Sequence, residues 1–262
     1  MDEIDEPALS RYPEDAHVEF RNVSFAYNTT TILKEVSFTA NPGTITALVG
    51  PSGAGKSTIA MLAARFWDIQ DGEILIGNVP IKEIPTSVLM DNIALVFQDN
   101  MLFFDTIEEN IRMGNKTATF EDVKRAACAA QCHEFIEALP DGYQTLVGEG
   151  GTYLSGGEMQ RLALARAILK DAPVILLDEA TAFADPENEG KILEAFSHLI
   201  KGKTVLVIAH RLGTITNADH ILYLDKGMIT EKGTHEELLA LHGAYAHMWK
   251  TYNRAKEWII DR

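Results

Sequence analysis

Cysteine is scarce in this 262-residue chain, which has two in all, so a fold stapled by a disulfide framework is excluded. The two, Cys128 and Cys132, stand four apart in an Ala-rich stretch. That spacing predicts one helix face carrying small core side chains rather than a redox or metal site involving His133. Long hydrophobic runs are missing as well. Stretches such as Ile59 to Ala64 and Val205 to Ala209 reach five or six residues, whereas a membrane-spanning helix needs about 20, so the chain is not expected to cross a membrane by itself. No basic, apolar leader opens it, because Met1 is followed by Asp2, Glu3, Asp5 and Glu6, and the expectation is a protein that stays in the cytosol. Positive charge is also short. With 23 Lys and Arg against 38 Asp and Glu the formal charge is −15, which argues against neutralising a nucleic-acid backbone, and no nucleic-acid partner is expected. Net charge does not exclude a local phosphate site.

What is present is a composition of 46% hydrophobic and 23% charged residues, ordinary for a globular protein. Residues 1–17, with Pro7, Pro13 and a run of acids, lack a hydrophobic period and read as a linker. From Val18 the alternation of Val18, Phe20, Val23, Phe25 and Tyr27 predicts a half-buried antiparallel strand, and a second follows around Val36 to Phe38. Thr44 to Val49 is an apolar run that breaks at a Gly-rich turn and passes into a helical stretch from Ser57 to about Phe66. The runs Ile93 to Phe97, Val174 to Leu177 and Val205 to Ala209 suit parallel strands buried on both faces. Helical periodicity covers Phe120 to Ala138 and Gly157 to Leu169, short alternating segments fall near Ile221 to Leu224 and Met228 to Thr230, and helices resume from His235. The fold class expected is α/β: a mixed, mainly parallel sheet core, an N-terminal antiparallel β subdomain, and a helical insert over approximately residues 99–165.

The turn after Val49 reads Gly50-Pro51-Ser52-Gly53-Ala54-Gly55-Lys56-Ser57-Thr58, the G-x-x-x-x-G-K-[ST] pattern in the required place between a strand and a helix. Glycines there let backbone N–H groups converge on a polyphosphate, and the helix start adds positive potential. Lys56 supplies a point charge between the terminal phosphates and Ser57 a hydroxyl for Mg²⁺. This makes the chain a P-loop NTPase in expectation, with ATP or GTP as ligand. A second glycine-rich helix start follows at Leu154-Ser155-Gly156-Gly157-Glu158. One nucleotide cannot sit deep in both, so the second suits a partner's nucleotide.

With those two motifs the chain resembles the ATP-binding cassette family over about Val18 to Trp249. The resemblance implies residue roles. Two cassettes pair head to tail, with ATP-Mg²⁺ between one cassette's phosphate loop (Gly50, Ser52, Gly53, Ala54, Gly55, Lys56, Ser57, Thr58) and the other's signature (Leu154, Ser155, Gly156, Gly157, Glu158). Val174 to Leu177 leads into Asp178 and Glu179. By resemblance Asp178 faces Mg²⁺ and Glu179 polarises the attacking water. His210, in Ile208-Ala209-His210-Arg211, is similar to the family's switch histidine. Gln98 resembles the glutamine that reaches Mg²⁺ and the water and senses the membrane domain. Tyr27 matches the aromatic that stacks on adenine, with Phe25 nearby, and Glu149 the acidic loop that contacts the membrane domain.

After Glu179 the family usually continues Ala-Thr-Ser-Ala-Leu-Asp, and here it reads Ala180-Thr181-Ala182-Phe183-Ala184-Asp185. Asp185, implied in communication across the dimer, is kept while a serine hydroxyl is lost. The segment Leu102-Phe103-Phe104-Asp105-Thr106-Ile107-Glu108-Glu109-Asn110-Ile111 resembles the exporter type, in which a membrane domain of six helices precedes the cassette. The resemblance therefore implies an ATPase that powers translocation, with residues 1–17 as the connection from a membrane domain and 18–262 as the nucleotide-binding domain. Its partners would be a second such domain and the transmembrane domain, and its place the cytoplasmic face of the plasma membrane. Exporter-shaped importers of iron-siderophore complexes are the alternative. A non-transport ATPase of DNA repair fits less well, because Lys56 to Ser155 is 99 residues with no heptads.

Overall fold

The computed structural model describes residues 10–97, 101–178, 186–209 and 215–260. Strand β1 (Val18–Tyr27) buries Val18, Phe20, Val23 and Phe25 on one face and pairs antiparallel with β2 (Thr30–Ala40). Phe20 and Val23 are three apart, which strict alternation would place on opposite faces. A register shift between them, with Asn22 at φ 48°, restores the inward direction. The pairing Phe20↔Phe38 stacks the two rings at 4.7 Å. After β3 (Ile45–Val49) and α1 (Lys56–Ala63), β4 (Asp71–Ile76) joins the other side of β1 and turns through Gly77 and Asn78, both at positive φ, into β5 (Val79–Pro80). Two such residues between paired strands make a hairpin turn whose twist matches the sheet. The order is β2-β1-β4-β5, so the front sheet is larger than the two strands expected. The missed strand begins Asp71-Gly72-Glu73, exposed and without strand formers.

The chain divides between two compact units, with boundaries within α2 (Thr86–Asn92) and at Lys203. The middle unit opens with β6 (Ile93–Val96), followed by β7 (Asp105–Thr106), α3 (Ile107–Arg112), α4 (Phe120–Ala129) and α5 (His133–Glu137). It continues through β8 (Leu146–Val147), α6 (Gly156–Lys170), β9 (Val174–Asp178) and α7 (Pro186–Ile200). Strands β6 and β9 run parallel, from Ile93↔Val174 to Val96↔Leu177. Helices α3 and α4 pack on α6.

The continuous helix expected from Phe120 to Ala138 is interrupted. Gln131 takes φ 56°, the Cys132 N–H donates to Ala127 O at 2.9 Å, and the Gln131 N–H donates to Cys128 O at 3.0 Å. These are the two bonds of a left-handed helix stop. Cys128 and Cys132 therefore do not share a helix face. Cys132 is buried, as expected, and Cys128 is exposed.

The chain then returns to the first unit with β10 (Thr204–Ile208), β11 (His220–Asp225), β12 (Met228–Gly233), α8 (His235–Ala240) and α9 (Ala244–Ile260). The strand order there is β12-β11-β3-β10. β10 and β11 lie parallel to β3, and β12 is antiparallel to β11. Every residue of β10 is buried, which is why that segment reads as an unbroken apolar run; Ile221 to Leu224 of β11 are all buried too, where the sequence suggested alternation. The α/β class, with parallel strands, an antiparallel N-terminal sheet and a helical region, is the one the sequence predicts. Among the described residues no helix is long and apolar enough to cross a membrane.

Candidate functional site

Buried β3 delivers the chain into Gly50, whose φ is 139° and whose added Cβ would strike the carbonyl oxygen of Leu224. Gly55 has φ 102°, and a Cβ there would come within 2.5 Å of Leu33 Cδ2. Only glycine fits either place. Gly55 is also the N-cap of α1, so no side chain caps that helix, and its first turn carries no acidic residue. The positive end of α1 is thus left for an external anion.

Lys56 opens the helix at 7% exposure. Its ammonium folds back over the loop and donates to Gly50 O and Pro51 O, both at 2.8 Å. The cation is held at the loop rather than extended into water. Ser52, Gly53 and Ser57 are exposed, while Ala54, Gly55 and Thr58 are buried. An oxyanion of several charges fits this cradle: glycines a Cβ would fill, a clasped cation and an uncapped helix start. The hard hydroxyl oxygen of Ser57 at this loop is a donor type Mg²⁺ takes.

Tyr27, half-buried at the end of β1, is edge-on to Phe25 at 4.8 Å and to Trp67 at 5.2 Å, and its O–H donates to Met61 Sδ at 3.8 Å. Phe25 is 2% exposed and has no face to offer a ligand; Trp67, at 38%, does. Trp67 was missed in sequence because it lies past the end of α1 in no pattern.

The second helix start is built differently. Ser155 caps α6, its Oγ accepting from the Glu158 N–H at 3.3 Å, while Glu158 Oε2 accepts from the Ser155 N–H and hydroxyl, each at 2.8 Å. This reciprocal pair satisfies the end of α6 and places a carboxylate there. The α6 start is therefore less electropositive than the α1 start. Leu154 and Gly157 are buried, and Gly156 is exposed.

Asp178 ends β9, half-buried. Glu179 follows it directly, Gln98 follows β6 by two residues and His210 follows β10 by two. These three, with Asp185 and the variant loop from Ala182, lie outside the described residues. Glu149 is exposed in the turn between β8 and α6, flanked by Gly148 at φ 89° and Gly150 at φ 85°. His133 accepts or donates to the Tyr143 hydroxyl at 2.9 Å. Burial pushes the Cys132 thiol up to about 12. Among the described residues no group of three His, Cys, Asp or Glu could hold a metal ion.

A strand, a glycine cradle, a clasped lysine and an uncapped helix, set on parallel strands, define a P-loop nucleoside triphosphatase. Residues 33–182, more than half of the chain, match the ABC transporter family, and the chain belongs to that family. It is 47% identical over 238 residues to an ATP-dependent lipid A-core flippase of Desulfotalea psychrophila, which covers 91% of this chain and 42% of that protein. To the mycobactin import ATP-binding/permease protein IrtA of Mycobacterium tuberculosis it is 50% identical over 237 residues, 90% of this chain and 28% of the relative. The solved structure of a bacterial Atm1-family ABC exporter with ATP bound superposes with a TM-score of 0.88 at 43% identity, over 96% of this chain and 44% of that one. The chain spans less than half the length of each of these proteins. It is the ATP-binding ATPase cassette of the family.

Proposed function

We propose that this cassette pairs with a second nucleotide-binding domain around two ATP-Mg²⁺ and powers substrate translocation through an exporter-type membrane domain. In this reading residues 18–262 are the nucleotide-binding domain, approximately residues 99–165 its helical insert, and residues 1–17 the connection from the membrane helices at the cytoplasmic face. The observation that carries it is the uncapped, acid-free start of α1 behind the Gly50–Gly55 cradle, with Lys56 clasped across it.

The roles follow from the chemistry. The loop N–H groups and Lys56 bind the phosphates, Tyr27 stacks on the base, and Ser57, Asp178 and Gln98 hold Mg²⁺, which when bound neutralises phosphate charge. Glu179 polarises the attacking water, and His210 with Gln98 keeps that water in line. Leu154, Ser155, Gly156, Gly157 and Glu158 serve the partner's nucleotide. Asp185 links the two sites, and Glu149 faces the membrane domain.

The test is Glu179→Gln. It keeps shape while removing the charge that orients water, so turnover should fall about 10²- to 10⁴-fold with ATP binding intact, and an ATP-bound dimer should accumulate in size-exclusion chromatography. Hydrolysis within a few-fold of wild type would remove Glu179 from the role. Import is the second reading, favoured by the 50% identity to a mycobactin import protein. Transport direction in vesicles made with the membrane domain separates the two.

A further inference from the structure

Asn110, on α3, is polar yet only 1% exposed. Its Oδ1 accepts from the Phe103 N–H at 2.9 Å, and its Nδ2 donates to Phe103 O at 3.0 Å, to Thr106 O at 3.0 Å and to Asp105 O at 3.4 Å. One side chain thus holds the 103–106 backbone through donor and acceptor together, as a neighbouring strand would.

Asn110 is held in turn by Arg166 on α6. Arg166 Nε donates to Asn110 O at 2.9 Å, Nη2 to Asn110 Oδ1 at 3.3 Å, and Nη1 reaches Met101 O at 3.5 Å. All three acceptors are neutral oxygens, and burial lowers the guanidinium pKa from its ordinary value. Among the described residues no carboxylate pairs with this half-buried cation, so charge neutralisation there does not explain its placement. Its fork joins two segments instead. Gly114, just past α3, lies so close to α6 that a Cβ would strike the carbonyl oxygen of Arg166. The joined loop presents Met101, Phe103 and Phe104 at 70%, 50% and 63% exposure. At its other end α6 begins at Ser155, eleven residues before Arg166, about 16 Å along a stiff helix.

We propose that Asn110 and Arg166 are positioning residues that lock the 101–106 loop to the helix carrying Ser155, so that a displacement of the loop moves the signature with it. The activity arm rests on the reading of Leu154 to Glu158 as part of the ATP site; the structural arm does not.

The purified chain carries the test, with hydrogen exchange, melting and steady-state ATPase measured on wild type, Arg166→Met, Arg166→Lys and Asn110→Asp. In Arg166→Met, exchange should rise at Phe103 to Thr106 and at the first turn of α6 together. The kcat should fall about ten- to a hundredfold, as for a misplacement remote from the chemistry, with the KM for ATP within twofold because the phosphate loop is untouched. Arg166→Lys, which keeps the cation and loses the fork, should recover part of both. Asn110→Asp keeps the acceptor and removes the two amide donors, so it should loosen Asp105 and Thr106 in particular. Faster exchange confined to the loop, with the α6 start and kcat as in wild type, would make the pair a local staple and overturn the proposal. If Arg166→Met does not fold, the lysine and aspartate variants decide by the same comparison. A wild type without ATPase activity would count against the functional reading, while the exchange data still judge the mechanical link.

Discussion

Lys56 does two jobs with one ammonium: it closes the loop through Gly50 O and Pro51 O and offers positive charge to a ligand. Lys56→Ala should therefore weaken ATP affinity at least tenfold by calorimetry, because the phosphates lose a charge-assisted donor and the loop loses its clasp. Tyr27→Ala should cost less, on the order of 1 kcal/mol, the worth of an aromatic contact; equal ATP and GTP binding to wild type and variant would move the base elsewhere. The cysteines give a separate check. Cys128 is exposed, whereas Cys132 is buried with its thiol pushed up to about 12, and only a thiolate reacts. A disulfide reagent should find one thiol in the native protein and both after denaturation. At this scale the motif residues were legible because phosphate chemistry tolerates few side chains at fixed spacing. Trp67, Asn110 and Arg166 were not, since nothing local in sequence marks a contact made across the fold.

Among the elements, α1 and α6 start in opposite ways, one on an uncapped glycine and one on a Ser155–Glu158 box. Ser155→Ala should lower stability by about 1 kcal/mol, read as a melting shift of about 2–4 °C. Glu158→Gln should leave the melting temperature nearly unchanged, because an amide oxygen can accept the same Ser155 bonds, while removing a negative charge from the helix start. Strands β3, β9 and β10, buried on both faces, announced themselves as apolar runs. β4 did not, because its first half is exposed and polar, and its place is set by pairing with β1. The break between α4 and α5 was hidden for a different reason. Ala-rich sequence favours helix continuation locally, and the stop comes from Gln131 adopting a left-handed conformation that lets Cys132 bury.

At the scale of the molecule, the chain has two glycine-rich helix starts, and the proposed reading is an active site shared between two copies. One preparation with Lys56→Ala and another with Ser155→Arg each spoil every site of their own dimers. Mixed dimers gather both defects in one site and leave the other intact, so mixing should restore activity to at most roughly a quarter of the sites if two-fold pairing is random. The assay needs high protein concentration, where the wild type is dimeric and active. Activity that stays at the sum of the two variants under those conditions would count against sharing.

The sequence by itself determined the α/β class, the phosphate loop and the membership that Leu154 to Glu158 and Asp178-Glu179 pointed to, because each rests on local spacing: period two, period 3.6, or side chains a few residues apart. Tertiary structure decided what spacing cannot carry. It settled that Phe25 is buried and Tyr27 half-buried beside Trp67, that Cys128 and Cys132 part company, that β4 joins the front sheet beside β1, and that Arg166 holds the loop at Asn110. Each of these depends on which residues distant in the chain meet, and that is fixed by packing and by the need of buried polar groups for partners.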